Sequence, residues 1–361
     1  MREKTGDADA RDGPGYTASE PSGPGEPGSG PGFAVCLTHD VDRPYKTYQG
    51  LYYAAKSNPG YHLRTLLRRE NPYWQFEDIM ALERDLGVRS SFYFLNEPSL
   101  LETGSLSDWL EPKNWVEHLG RYDLDSASIA DAVRDLDGGG WEVGIHGSFR
   151  SCDDFDRLRT ETRELEAILG HELVGGRQHH LKLGPNTWRY HRELGLKYDA
   201  SPGSSSEHGF QHGYRPFRPF DDDFVVFPLT LMEVSLPDPG SAFDEAWAEC
   251  ERLLDEAEAN DAVMTVLWHP RYFNEDEFPG YRRLYRRIVE RALDRGAWVG
   301  PVADYYREFL AERDSSDSDD AGDDSDGRAT DNATTDNATA GGSNYSLSPG
   351  RIRHRRSVSA P

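Results

Sequence analysis

Two aspartates, Asp40 and Asp42, stand two residues apart at the end of an apolar run, FAVCLTHDVDRP over residues 33–44. Along a strand, side chains at i and i+2 face the same side, so both carboxylates share one face. They repel there unless a proton or a cation lies between them. A divalent metal held by one carboxylate, with the other acting as a general base, resolves the repulsion. The competing arrangement is a pair of capping carboxylates bonded to N–H groups of the following loop. His39 looks like the obvious catalytic group, yet alternation turns it away from Asp40.

Other apolar runs end in the same chemistry. EVGIHG (142–147) carries His146, LVGGRQHH (173–180) ends in Arg177, Gln178, His179 and His180, KYDAS (197–201) carries Asp199, and VMTVLWH (263–269) ends in His269. In a barrel of parallel strands the C-terminal strand ends gather on one rim. A lone histidine at a strand end is most often a hydrogen-bonded structural residue. Several of them converging from different strands read as a site.

The elements that must position these groups follow from periodicity. Further strand-like runs are SSFYFL (90–95), FVVFPLTL (224–231) and WVGPV (298–302). Amphipathic stretches lie between many of the runs. WQFEDIMALERDLG (74–87) sets Phe76, Ile79, Met80, Leu82 and Leu86 largely along one face and stops at Gly87. DDFDRLRTETRELEAILG (153–170) has acids in its first turn, apolar positions at Phe155, Leu158, Leu165, Ile168 and Leu169, and a stop at Gly170. Strand and helix alternating at this spacing predict parallel strands with crossover helices. The expected architecture is α/β, a distorted (β/α) barrel of about seven parallel strands, forming a single domain over residues 33–311. A doubly wound open sheet competes with it, but no G-x-G-x-x-G follows the first strand. Residues 1–32, rich in Gly and Pro, and residues 312–361, an acidic tail with a short basic end, are expected to be disordered.

Composition narrows the function. The chain has 361 residues and a formal net charge of −24. Such acidity argues against a general nucleic-acid binder, which needs a basic face, and fits the solvated acidic surface of a halophile. Hydrophobic residues make up only 36%, yet 8 Trp, 18 Tyr and 15 Phe suffice for a core, so polar segments must dilute an ordered part. Cys36, Cys152 and Cys250 are too scattered for a disulfide framework or a Cys-rich zinc site. No apolar run approaches the ~18 residues of a membrane span, and the N-terminus lacks the apolar core of a secretory signal. A soluble, cytoplasmic protein is the expectation.

With these residues in view, the chain resembles the polysaccharide deacetylases, carbohydrate esterases with a NodB-homology domain. LTHDVD resembles their first motif, while WEVGIHGSFRS, GGRQHH and TVLWHP resemble the second, third and fifth in order; the resemblance covers residues 33–308. It implies Asp40 as the base, Asp42 as a metal ligand, His146 as the first metal-binding histidine, Arg177 as the group that orients the base, and His269 as the general acid. The chain departs from the family in two places. The family's second motif has another histidine four residues after the first, where this chain has Arg150, and a guanidinium stays protonated and does not ligate a metal. The third motif's usual Arg-Pro-Pro is Arg177-Gln178-His179 here. His179 is the candidate replacement ligand, while His180 points to the opposite face if the strand persists.

The resemblance implies a divalent metal, zinc by preference, and hydrolysis of N- or O-acetyl groups on a carbohydrate or glycan-precursor substrate. Trp268, Tyr272, Phe273 and, in the loop GYRPFRPF (213–220), Phe217 are candidates either to line a sugar cleft or to pack the loops. Two other readings stay open. One is a D-x-D phosphohydrolase of the haloacid-dehalogenase type, with Asp40 as nucleophile and magnesium as the metal. Against it, Arg43-Pro44 follow the motif and later strands end in His rather than Lys. The other is a non-catalytic deacetylase fold that binds glycan or serves as a scaffold.

Overall fold

The computed structural model describes residues 32–46, 60–62, 65, 71–97 and 121–308. The segments expected to be disordered, 1–32 and 312–361, lie outside the described residues apart from Gly32. Among the described residues, nine strands form one sheet: β1 (Ala34–Val41), β2 (Ser91–Leu95), β3 (Glu142–Gly147), β4 (Gly175–Gln178), β5 (Tyr198–Asp199), β6 (Val225–Val226), β7 (Leu229–Met232), β8 (Val263–Leu267) and β9 (Trp298–Gly300). All of their pairings are parallel.

The strand order is β6-β5-β4-β3-β2-β1-β8-β7, with β9 added to β1. Its two ends, β6 and β7, are consecutive in sequence, separated only by Phe227 and Pro228. One kinked segment therefore pairs with β5 through Val225 and Val226 and with β8 through Leu229, Leu231 and Met232. The sheet closes on itself through the covalent chain. Proline has no N–H to give to a ladder, so the bend falls where pairing is lost anyway. On either side of it, Phe227 N–H donates to the Asp199 carbonyl at 2.8 Å and Leu229 N–H to the Pro202 carbonyl at 2.7 Å. With β6 and β7 taken as one stave, the result is the expected distorted (β/α) barrel. Thr38 pairs with both Ser91 of β2 and Leu267 of β8, and Ala34 with both Val263 of β8 and Trp298 of β9. β9 thus takes the lower half of the β1 edge that β2 occupies higher up.

Strand β1 is buried along its whole length, as expected for a strand covered on both faces. The helices follow their sequence signals. Helix α1 (Phe76–Leu86) ends at Gly87, whose φ of 73° lies in the left-handed region. Helix α2 (Ala127–Gly138) leads into β3. Helix α3 (Phe155–Leu169) starts with Asp154 accepting from the Arg157 N–H and ends at Gly170, φ 83°. Helix α4 (Thr187–Glu193) precedes β5. Helix α5 (Pro239–Ala259) buries Trp247, Cys250, Leu253, Leu254 and Ala257. Helix α6 (Tyr281–Asp294) buries Leu284, Tyr285, Ile288, Val289 and Ala292, the i, i+1, i+4, i+5, i+8 stripe of one helix face. All three cysteines are buried and free. Among the described residues, no helix is long and apolar enough to cross a membrane.

Strand β4 opens with Gly175-Gly176, and packing demands both glycines. A Cβ on Gly176 would lie 2.0 Å from the Ile145 carbonyl oxygen, and one on Gly175 would lie 2.4 Å from the Tyr198 ring. The backbone of β3 cannot move aside without breaking its own ladder. Gly176→Ala is expected to lower stability by about 1–3 kcal/mol or more, the usual cost of overpacking, read as a fall in thermal midpoint. An unchanged midpoint would mean that β3 and β4 are not this close.

Candidate metal and acid–base site

The C-terminal ends of β1, β3, β4 and β8 meet on one rim. Asp40, at the end of β1, is 3% exposed, and Arg177, on β4, is fully buried. An Arg177 Nη1 donates to Asp40 Oδ1 at 2.8 Å and to Thr38 Oγ1 at 2.9 Å, and Nε donates to the Ala200 carbonyl at 2.7 Å. The guanidinium thus spans from β4 to β1, and the ion pair compensates two charges that burial would otherwise penalise heavily. Asp40 Oδ2 lies 3.7 Å from His146 Nε2.

Asp42 faces three imidazoles. Its Oδ1 is 3.1 Å from His146 Nε2 and 3.9 Å from His179 Nε2, while Oδ2 is 3.3 Å from His269 Nε2. These neighbours outweigh burial, which alone would raise the Asp42 carboxyl, and hold it well below the usual range.

The orientation of His146 decides what the contact with Asp42 is. Its Nδ1 lies 3.0 Å from the Arg177 carbonyl, which only accepts, so Nδ1 carries a proton. In the neutral ring, Nε2 then turns a lone pair toward the Asp42 carboxylate, and Asp42 Oδ1 has no hydrogen-bond partner although it is buried. Burial works to lower the His146 pKa, but Asp40 and Asp42 raise it above its ordinary value. The gap between these two acceptors therefore calls for a proton on Nε2 or a cation in its place. Fixing one ring nitrogen on a backbone carbonyl is also how ligating histidines are held.

His179 completes a set. One ligand atom from each of Asp42, His146 and His179 lies within 4.8 Å of the others. The His179 Nδ1 is buried without a hydrogen-bond partner and lies 3.8 Å from Glu97 Oε2, while Glu97 accepts the Phe149 N–H at 3.0 Å. His180 departs from expectation. Strand β4 stops at Gln178, and residues 179–181 form a single 3₁₀ turn with His180 at φ 58°. Alternation therefore no longer applies, and the His180 ring stacks on that of His179 with centroids 4.1 Å apart instead of facing away. Arg150 is exposed, in the turn after β3.

His269 follows β8 and is held from behind. Its Nδ1 lies 2.6 Å from Glu233 Oε1. Glu233, fully buried just past β7, was not singled out by sequence reasoning, and its only signal was an acid at the end of the apolar run 224–232. Burial works to lower the His269 pKa, yet Glu233 and Asp42 outweigh it and push the imidazole up from 6.5 to about 10.

His39 lies on the other face of β1, fully buried. Its Nδ1 is 2.5 Å from the Trp268 carbonyl oxygen and its Nε2 is 3.0 Å from Glu83 Oε1. Glu83, buried in helix α1, also accepts from Ser90, Trp141 and Tyr285 at 2.8, 2.6 and 2.5 Å. Asp199 accepts from Ser201 and Trp188 and faces His191 at 3.4 Å.

The cleft at Asp42 is lined by Asp40, Val41, Asp42, Arg43, Pro44, His269, Pro270 and Arg271. None of the proposed cleft aromatics is among them. Trp268 is fully buried against Tyr281 and Tyr285, at 6.1 and 5.6 Å between ring centroids. Phe273 is buried against Tyr285. Phe217 bridges to Val226 and packs on Trp188 at 5.8 Å. Tyr272 comes nearest, its ring 6.4 Å from His269, but it packs on Phe278 and Tyr281. Trp268, Tyr272 and Phe273 thus belong to the core, while Phe217 is half-buried in its loop.

The folded-state value of His269 lies above its ordinary one, so its contribution to stability is fully present below pH 6.5 and is lost as the pH rises through about 10. Glu233→Gln removes a charge that favours the protonated ring. The His269 ring is expected to titrate at lower pH in that variant, followed by NMR of its carbon-bound protons. An unchanged midpoint would refute Glu233 as its charge partner.

No family model matches this sequence, and no curated protein matches it. Solved structures do. A protein of Mycobacterium smegmatis described as a polysaccharide deacetylase superposes with a TM-score of 0.55 at 17% identity, over 81% of this chain and 95% of its own. PuuE allantoinase gives 0.56 at 16% identity, over 83% and 98%. A protein of Pseudomonas aeruginosa PAO1 described as a polysaccharide deacetylase gives 0.50 at 12% identity, over 78% and 91%. At such identities the likeness is one of architecture, and the chain has the fold that these deacetylase and allantoinase structures share.

Proposed function

We propose that this chain is a metal-dependent hydrolase that removes N- or O-acetyl groups from a carbohydrate. The observation that carries the reading is Asp42, a half-buried carboxylate whose buried Oδ1 has no hydrogen-bond partner, facing His146 and His179 within ligand reach. The fold shared with proteins described as polysaccharide deacetylases supports it.

The residues fit a divalent cation. Two imidazoles and a carboxylate are a zinc donor set that leaves a coordination position open for catalysis. His179 takes the place that a second histidine of the β3 loop would fill, where this chain has Arg150. When bound, such an ion supplies a Lewis acid for the acyl carbonyl and for water.

The chain's own groups supply the proton transfers. Arg177 occupies Asp40 Oδ1, leaving Oδ2 to accept a proton from the attacking water. His269, held by Glu233 through Nδ1, presents Nε2 to the cleft. From there it donates a proton to the leaving amine or alkoxide as the acyl bond breaks.

Acetate release from acetylated amino sugars is the direct test, with allantoin as a second substrate because the fold also serves an allantoinase. Asp40→Asn is expected to cut turnover by about 10²–10⁴-fold, the usual worth of a general base, with metal content unchanged. Chelation is expected to abolish acetate release and added zinc to restore it. If neither treatment changes the rate, the reading is wrong. Hydrolysis of allantoin without acetate release would keep the site and reject the sugar.

A further inference from the structure

We propose that the cleft at Asp42 takes a substrate carrying an anionic group, phosphate or carboxylate, beside the acyl group it loses, and that Arg271 binds that anion. The inference rests on the hydrolase reading only for which bond is cleaved, because the anion site itself is built from residues outside the proton-transfer set.

Asp40 is paired with Arg177, and Asp42 faces three imidazoles. Two further guanidiniums, Arg43 and Arg271, line the same cleft. Arg271 is partly buried and lies over the Tyr272 ring at 5.0 Å. Its Nε is buried without a hydrogen-bond partner, while burial of the guanidinium is offset by Tyr272, Asp42 and Glu233, which lie close enough to favour its charged form. A buried N–H left unpaired costs free energy, and a guanidinium edge offers the planar, two-pronged geometry that suits carboxylate and phosphate oxygens.

Position adds the second half of the argument. Arg271 stands two residues after His269, on the 3₁₀ turn Pro270–Phe273. His269 protonates the leaving group, which is the sugar and not the acetyl. An anion held by Arg271 therefore belongs to the sugar side of the scissile bond. The whole chain carries a net charge of −24, which disfavours anionic ligands in general. Screening confines that repulsion to about 8 Å at physiological salt, so Arg271 sets the preference inside the cleft.

The test is calorimetric binding to the zinc-loaded full chain, comparing N-acetylglucosamine with N-acetylglucosamine 1-phosphate and with N-acetylmuramic acid. These two anions separate a phosphate-bearing from a carboxylate-bearing substrate. At least one of them is expected to bind ten times more tightly than the neutral sugar. In Arg271→Gln that advantage is expected to vanish while neutral-sugar binding holds, and Arg271→Lys is expected to retain part of it. Equal binding of all three sugars, or no binding of any, overturns the proposal. So does an advantage that survives Arg271→Gln, which would place the anion on the metal or on Arg43 alone. Should Arg271→Gln not fold, the lysine variant decides: an undiminished advantage there rejects the two-pronged contact. Acetate release is followed on the same samples. Anion preference without release would reject the hydrolase reading and keep the anion site, and release without preference would do the reverse.

Discussion

A carboxylate oxygen and an imidazole nitrogen face each other across 3.1 Å at the centre of this rim, both with lone pairs to give when His146 is neutral. The His146 ring cannot turn to relieve this, because its other nitrogen is committed to the Arg177 carbonyl. Arg177 cannot move either, since its side chain is committed to Asp40, Thr38 and Ala200. One residue of β4 thus fixes the proposed base through its guanidinium and the proposed ligand His146 through its carbonyl. On the proposed metal reading, a proton fills the gap between Asp42 and His146 at low pH and a cation at higher pH, so metal affinity should rise with pH as the imidazole deprotonates.

The rigidity behind that rim comes from the opposite face of β1. His39 reaches the carbonyl of Trp268, the residue before His269, and the buried Glu83 gathers His39, Ser90, Trp141 and Tyr285 into one network. It links β1 to the end of β8, to helices α1 and α6 and to the starts of β2 and β3. Asp40 and His269, the proposed base and acid, are therefore spaced by a polar network that neither of them joins. Such a network is worth its desolvation only when every member is satisfied, and the oxygens of Glu83 are.

Much of this was readable in the sequence because it follows local rules. Alternation along β1 separates His39 from Asp40 and Asp42, and left-handed glycines end helices α1 and α3 where the periodic patterns stop. Alternation misleads at His180, because it holds only while a strand lasts and β4 ends at Gln178. Glu233 and Glu83 are acids in apolar surroundings, and only the tertiary structure tells which histidine each one meets. Closure of the barrel through a single bent segment at Phe227-Pro228 is likewise a property of the whole sheet. The aromatic residues around His269 illustrate the same limit, since composition marks them as large and apolar without saying which side of the strand they take.

The central claim is that Asp42, His146 and His179 jointly bind one divalent ion. X-ray absorption of the zinc-loaded chain tests it most directly, because imidazole shells scatter in a way that oxygen ligands do not. The account predicts one tightly held zinc with two imidazoles and oxygen ligands at about 2.0–2.2 Å, and the loss of one imidazole in His179→Ala. A single-imidazole shell in the native chain, or an identical spectrum in His179→Ala, would contradict it.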